Sequence, residues 1–368
     1  MRKIIYFICI LIGINLYSPA VKASVQVSAE SAILMDQETG RVLFEKDANS
    51  PTLIASITKI MTAIIAIESG KLKDKVKISD KATLTEGSSI YLNQDDVITL
   101  EELVYGLMLR SGNDAAVAIS EHIGGSEEGF AYLMNDKARW VGMTNSHFDN
   151  PHGLDSDSHY SSAYDMALLT KYAMDHPVFR EISSTSSYKA KSRDYPWINK
   201  NKLLTHLYKY SNGGKTGYTR AAGRTLVSTA EKNGQTLIVV TLNAANDWQD
   251  HIQLFEWGFE EFPLHKIQEP ATFTLPAPNQ DAEVIEASIK EEVYYPLTKE
   301  EIEQVHQKNY MVKEPLSFQR IGKRAFYLDG KLIIDAAIYQ SSPSVDESPG
   351  FWNNFWQQMK RFIGDTSD

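Results

Sequence analysis

The stretch that most constrains the fold is Ser56-Ile57-Thr58-Lys59-Ile60-Met61-Thr62-Ala63-Ile64-Ile65-Ala66-Ile67-Glu68-Ser69-Gly70. It opens on a residue of the N-cap type, ends at a glycine stop, and is apolar almost all the way round a helix. A helix without a polar face is expected to run through the core rather than over the surface. Ser56 and Lys59 stand three apart, so they share a helix face and the amine can reach the hydroxyl. A serine at a helix N-terminus also sits beside unpaired backbone N–H groups, which can serve a developing oxyanion. Taken alone, the pair reads better as a capped core helix carrying an incidental lysine.

Ser-x-x-Lys is a common spacing, and Ser186-Ser187-Tyr188-Lys189 repeats it. The residues after Ser186 include Lys191, Arg193, Asp194 and Pro196, which build no helix, so that copy is set aside. Two further strings follow Ser56 in order. Ser111-Gly112-Asn113 is the only Ser-x-Asn of the chain. It lies after the helical pattern Leu103, Leu107, Met108 and before Asp114-Ala115-Ala116-Val117-Ala118-Ile119, hence in a short loop between helices. Lys215-Thr216-Gly217 is the only Lys-Thr-Gly. It leads into Thr225 to Ala230, an Asn233-Gly234 turn and Leu237 to Leu242, a hairpin that sets Lys215 on or just before a core strand. A helix cap and a surface turn are the plain readings of these two strings in isolation.

In this order the three strings resemble the active-site set of the serine penicillin-binding proteins and their β-lactamase relatives. Three further runs make the chain most similar to the low-molecular-mass D-alanyl-D-alanine carboxypeptidases: Asn150-Pro151-His152-Gly153-Leu154-Asp155, Tyr160-Ser161-Ser162-Ala163-Tyr164-Asp165-Met166-Ala167 and Gly213-Gly214-Lys215-Thr216-Gly217-Tyr218-Thr219. Tyr105 to Ala116 resembles the sporulation-associated members of endospore-forming bacteria. The likeness runs from about Ser28 to Phe262 and continues less specifically beyond.

The resemblance implies an α/β (α+β) fold of the transpeptidase-like kind, a sheet flanked by helices plus a mainly helical lobe, with the site in the cleft. It implies Ser56 as nucleophile, Lys59 as base and Ser111 as proton relay. Asn113, Lys215, Thr216, Gly217 and Tyr218 would bind substrate, with the backbone N–H groups of Ser56 and Tyr218 as the oxyanion hole. His152 and Asp165 recur near the site in the family's motifs; Asp165 alternatively completes a Ser162-x-x-Asp capping box. The implied substrate is a peptidoglycan stem peptide ending in D-Ala-D-Ala, and β-lactams are the implied inhibitors. The chain departs from the family in one place. Related enzymes carry an arginine downstream of Lys-Thr-Gly to hold the substrate carboxylate, whereas here the run is Asn243-Ala244-Ala245-Asn246-Asp247-Trp248. Arg224 and Arg220 are the nearby cations, and Arg224 is the preferred substitute.

Other outcomes use the same strings. A β-lactamase would add a deacylating glutamate in a Glu-x-x-x-Asn loop, where this chain has Phe148-Asp149-Asn150-Pro151-His152-Gly153. A D,D-transpeptidase or endopeptidase differs only in acceptor or peptide context, and a non-catalytic wall-binding protein would be expected to lose part of the set. His147, His152 and His159, with Asp149, Asp155 and Asp157, match no helical His-x-x-x-His pattern, so no metal and no cofactor is expected.

Residues 1–23, with Arg2-Lys3, an apolar stretch from Ile4 to Leu16 and Val21-Lys22-Ala23, read as a secretory leader. The apolar run is shorter than the roughly 20 residues of a spanning helix. The protein is therefore expected to be exported and extracytoplasmic. Cys9, the only cysteine, lies inside that leader, which excludes disulfides, thiolate metal sites and cysteine nucleophiles in the mature chain. Losing the leader takes the formal charge from −10 to −13, a balance that disfavours nucleic-acid partners. Residues 24–262 are expected to form the catalytic domain, and 263–340, Pro-punctuated and alternating, a small β-rich domain. A Pro/Ser linker, 341–350, precedes 351–368, where Phe351, Trp352, Phe355, Trp356, Met359, Phe362 and Ile363 fall on one helical face. The linker favours an in-plane membrane-surface anchor over a terminal helix packed on its own protein.

Overall fold

A computed structural model of the protein describes residues 25–276, 284–312 and 320–340; the expected leader, linker and C-terminal amphipathic helix lie outside them. The described residues fall into two compact units that divide between Glu260 and Glu261.

In the first unit, β1 (Ser31–Asp36) and β2 (Val42–Lys46) form the opening hairpin. The closing strands are β3 (Ser211–Thr219), β4 (Gly223–Lys232) and β5 (Gln235–Leu242). They assemble in the order β2-β1-β5-β4-β3, antiparallel throughout, so the two ends of the unit meet in one sheet as the alternating patterns imply.

Between them run α1 (Lys59–Glu68), α2 (Asn113–Gly124), α3 (Glu127–Val141), α4 (Ala163–Asp175) and α5 (Pro177–Ser184), with α6 (Asp247–Glu261) after β5. Every residue of α1 from Lys59 to Ile67 is buried. The expected core helix is therefore the centre of the unit. Each fully buried Ile or Met of this run contributes roughly 1.5–3 kcal/mol of transfer free energy. Ala115, Ala116 and Ala118 of α2 are also fully buried, and their small side chains allow close helix approach.

Two local expectations change. Ser56 does not cap a helix; it sits inside a single 3-10 turn, Ala55–Thr58, that precedes α1 and has no side-chain cap. The helical pattern read from Leu103, Leu107 and Met108 is α-helical only to Tyr105 and widens into a π turn over Gly106–Arg110. Lys215 lies mid-strand in β3, on a core strand as the hairpin pattern implies.

The second unit contains β6 (Leu264–Gln268), β7 (Ala271–Pro276), β8 (Val284–Ile289), β9 (Val293–Pro296), β10 (His306–Met311), β11 (Arg320–Leu328) and β12 (Lys331–Gln340). Five of them form an antiparallel sheet in the order β7-β8-β12-β11-β10, and β6 pairs with β9. Asp329 and Gly330, both at positive φ, make the tight turn between β11 and β12 that Asp-Gly chemistry favours. Its core gathers Ala287, Ile289, Ile321, Phe326, Ala336 and Ile338. No helix among the described residues is long and apolar enough to cross a membrane.

Candidate active site

The 3-10 turn bearing Ser56 is held in an uncommon shape. Ala55 adopts φ +50°, a left-handed conformation costly for an alanine. Several contacts impose it. Thr225 Oγ1 of β4 donates to the Ile54 carbonyl at 2.9 Å, and Thr58 Oγ1 donates to the Ala55 carbonyl at 2.8 Å. His159 Nε2 lies 2.8 Å from Thr58 Oγ1, while its Nδ1 accepts from Asp149 N at 3.1 Å. That pattern leaves the ring proton on Nε2, and burial lowers the His159 pKa to about 4, so the ring is a neutral brace.

Lys59 is fully buried, with its Nζ 3.0 Å from Ser56 Oγ, 2.7 Å from Asn113 Oδ1 and 2.7 Å from the His152 carbonyl oxygen. The last two partners can only accept; the Ser56 hydroxyl can also donate. A neutral amine has two N–H groups and one lone pair. It therefore fits this cage with both N–H groups on the carbonyls and the lone pair facing the Ser56 hydroxyl proton. Burial, then the nearby charges of Lys215 and Lys200, hold the Lys59 amine well below its ordinary value, with Asp114 opposing.

Ser111 and Asn113 come from the junction between the π turn and α2. Ser111 takes the left-handed conformation, φ 63° and ψ 34°, which aims its side chain away from the helix path. Lys215 Nζ donates to Ser111 Oγ at 2.9 Å and to the Thr216 carbonyl at 2.7 Å. Burial, then Lys200, bring the Lys215 pKa down to about 7. The Asn113 amide is oriented by Nδ2 donating to the Glu86 carbonyl at 2.6 Å, which leaves Oδ1 for Lys59. The three strings, distant in the chain, thus meet around one set of polar atoms.

Gly217 explains how β3 comes so near. A Cβ there would lie 2.4 Å from Thr225 Oγ1 and 2.9 Å from the Ser56 backbone nitrogen, so only glycine lets the strand edge run beside the serine turn. Thr216 is half-buried on that edge, and Tyr218 is 68% exposed.

The supporting residues divide. His152 reaches the site through its backbone carbonyl; its ring accepts from Leu154 N at 3.1 Å and lies 3.4 Å from Glu127 Oε2. Asp165 supplies one half of the expected capping box. Ser162 Oγ does accept from Asp165 N, but the buried carboxylate accepts from Asn145 N at 2.6 Å and Ser146 Oγ at 2.7 Å, bracing that turn. Arg224 donates to the Ala244 and Ala245 carbonyls and lies 3.7 Å from Asp247 Oδ1, on the β4 position paired with Tyr218. Arg220 is exposed.

Residues that sequence reasoning missed include Asp114, whose buried carboxylate accepts from Ser89 Oγ, Ile90 N and Leu92 N and so ties down the segment carrying the Glu86 and Ser88 carbonyls that hold Asn113. Its position directly after Asn113 at a helix start was the available signal.

Residues 18–246, well over half of the chain, match the family model of the peptidase S11 D-alanyl-D-alanine carboxypeptidases. The chain belongs to that family. Among curated S11 relatives, D-alanyl-D-alanine carboxypeptidase DacF of Bacillus subtilis is 36% identical over 249 residues, 65% of this chain and 64% of the relative. DacC of Escherichia coli is 36% identical over 263 residues, 67% of this chain and 65% of the relative. The matches thus span a little under two thirds of these relatives' own length. Penicillin binding protein 5 of Haemophilus influenzae superposes with a TM-score of 0.73 at 28% identity, covering 86% of this chain and 98% of that structure. The S11 likeness therefore extends in fold through the β-rich second unit.

Proposed function

We propose that this S11 protein is a serine D-alanyl-D-alanine carboxypeptidase of peptidoglycan stem peptides. The observation that carries the reading is the Lys59 cage: a buried amine, 3.0 Å from Ser56 Oγ, whose other two contacts are carbonyl oxygens. Lys59, neutral, takes the Ser56 hydroxyl proton as Oγ attacks the carbonyl between the two terminal D-alanines. The oxyanion is met by the backbone N–H groups of Ser56 and Tyr218. Ser111, hydrogen-bonded to Lys215, gives its hydroxyl proton to the leaving amine and is re-protonated by the proton Lys59 took, which returns Lys59 to its neutral state, and D-alanine departs with that N–H bond formed and the peptide C–N bond broken. Water then adds to the ester, giving its proton to Lys59, and the shortened stem leaves as a carboxylate while Ser56 regains its hydrogen. Asn113 orients Lys59 and the substrate amide, and Thr216 holds the terminal carboxylate beside Gly217.

A long-lived adduct with β-lactams is the corollary. The β-lactamases most similar in spacing add a glutamate as the base for deacylation. Glu127, the carboxylate against the His152 ring, is held at about 2, chiefly by its contacts with His152 and Lys81, and so is a poor base. The reading extends to an exported protein kept at the membrane surface by residues 351–368, and deletion of that segment should release it from membranes. Incubation with a pentapeptide stem tests the whole: free D-alanine is expected from the wild type and none from Ser56→Ala, whereas equal release from both would defeat the assignment.

A further inference from the structure

The two carbonyl oxygens that face the Lys59 amine are set by different segments. Asn113 Oδ1 is oriented by the Glu86 and Ser88 carbonyls, which accept from Asn113 Nδ2 and Asn113 N at 2.6 Å each. The other oxygen is the His152 carbonyl itself. Glu127, at the first position of α3, reaches both segments with one carboxylate. Its Oε1 lies 2.8 Å from Lys81 Nζ, on the helical turn Asp80–Thr83 that leads into Glu86 and Ser88. Its Oε2 lies 3.4 Å from His152 Nε2. His152 Nδ1 accepts from Leu154 N, so the ring proton sits on Nε2 and faces that oxygen.

An ion pair in the first turn of a surface helix ordinarily contributes little. Burial makes this one different. The Glu127 side chain is 14% exposed and that of His152 10%, against 56% for Lys81. Without Glu127, Lys81 would return to water at small cost, whereas the His152 N–H would lose its buried partner. The Lys81 segment is stiff enough to carry the effect to the site. Ser79 Oγ ties its start to Glu121 Oε2 of α2 at 2.7 Å, and a Cβ on Gly87 would stand only 2.6 Å from Asn113 Nδ2. Lys81 and the His152 ring are the charged and titratable groups that act on Glu127, and Lys59 acts in turn on that ring.

We infer that Glu127 is a positioning residue for acylation: its single carboxylate, shared between Lys81 and the His152 ring, sets the spacing of the two segments whose carbonyl oxygens hold the Lys59 amine against Ser56. It touches no reacting atom and acts only through its neighbours. The inference deepens the carboxypeptidase reading above and rests on Lys59 as its base.

The test measures acylation of the full chain by labelled penicillin, separating the rate constant at saturation from the half-saturating concentration. The proteins are wild type, Glu127→Ala, Glu127→Gln, Lys81→Met, His152→Ala and the Glu127→Ala, His152→Ala double variant, each well below its melting temperature. Displacing the base should lower the saturating rate of Glu127→Ala by about ten- to a hundredfold, with the half-saturating concentration within about twofold of wild type. Glu127→Gln keeps an acceptor oxygen for the His152 N–H and should recover most of the loss. The double variant should lose far less than the product of the two single losses, because both substitutions break one contact. Lys81→Met alters an exposed side chain and should slow acylation by about two- to tenfold, so the proposal stays testable if Glu127→Ala does not fold. Wild-type rates in Glu127→Ala or Lys81→Met, a loss confined to the half-saturating concentration, failure of glutamine to rescue, or fully multiplicative losses in the double variant would each overturn the proposal. A wild type that takes no label would instead overturn the Ser56 and Lys59 reading, and this inference with it.

Discussion

Gly153 packs so closely over Ala55 that a Cβ on it would lie 2.0 Å from the Ala55 carbonyl oxygen. The contact joins the loop that supplies the His152 carbonyl to the strained turn that supplies Ser56, so the loop sets both the partner of Lys59 and the shape of the nucleophile's backbone. Gly153 also sits at φ +84°, where a side chain is disfavoured for its own reasons.

Gly153→Ala is therefore expected to destabilise the protein by about 1–3 kcal/mol through overpacking and backbone strain. Thermal melting reads the loss. The same variant should acylate more slowly with labelled penicillin even well below its melting temperature. An unchanged melting temperature would mean that the loop does not brace the turn.

Lys59→Met separates chemistry from stability. It removes the base, so the acylation rate should fall by at least about 10²-fold. The native amine releases its proton below the ordinary lysine value of 10.5, whereas the unfolded one keeps it to that value. The unfolded chain thus binds more protons in that window, and this group's contribution to stability rises with pH across it. Methionine removes the titrating group but leaves Asn113 Oδ1 and the His152 carbonyl without their donor, so the variant should lose about 1–3 kcal/mol near neutrality, with a flatter dependence of stability on pH. Denaturant titrations at several pH values measure both effects.

The pH profile of kcat/KM should be bell-shaped. Its rising limb reports loss of the Lys59 proton, needed for the amine to act as base. Its falling limb should lie near 7, where Lys215 loses the charge that polarises Ser111 and the substrate. Lys215→Arg keeps that charge and should carry the falling limb well into the alkaline range. A falling limb that stays in place would assign it to another group.

Asp114→Asn replaces one acceptor oxygen by an amide that donates. At least one of the N–H groups of Ile90, Leu92 or Ala115 then loses its partner, at a cost of about 1–3 kcal/mol. The Glu86 and Ser88 carbonyls that orient Asn113 should loosen, so kcat should fall alongside the melting temperature.

Side-chain chemistry made much of the site legible. Ser56, Lys59, Ser111, Asn113 and Lys215 announce themselves by type and spacing, and the apolar run of α1 announces the core. What stayed hidden is carried by backbone. The Lys59 cage uses a main-chain carbonyl at His152, which any residue supplies, and the left-handed turn at Ser111 follows a π turn that periodicity does not distinguish from α-helix. Glu127 reads as an ordinary first-turn acid of α3 until Lys81 and the His152 ring are folded against it. Asp165 misleads for the opposite reason, since its motif context is right while its carboxylate serves Asn145 and Ser146. Strands β6, β9 and β10 are short and polar or end at proline, which weakens the alternation that reveals β7, β8, β11 and β12.

The most direct measurement is peptide mapping after brief exposure to labelled penicillin, in wild type and Ser56→Ala. The account predicts one stable adduct, on the peptide containing Ser56, and no label in the variant. Label retained by Ser56→Ala, or an adduct mapped to the Ser186 to Lys189 segment instead, would contradict it.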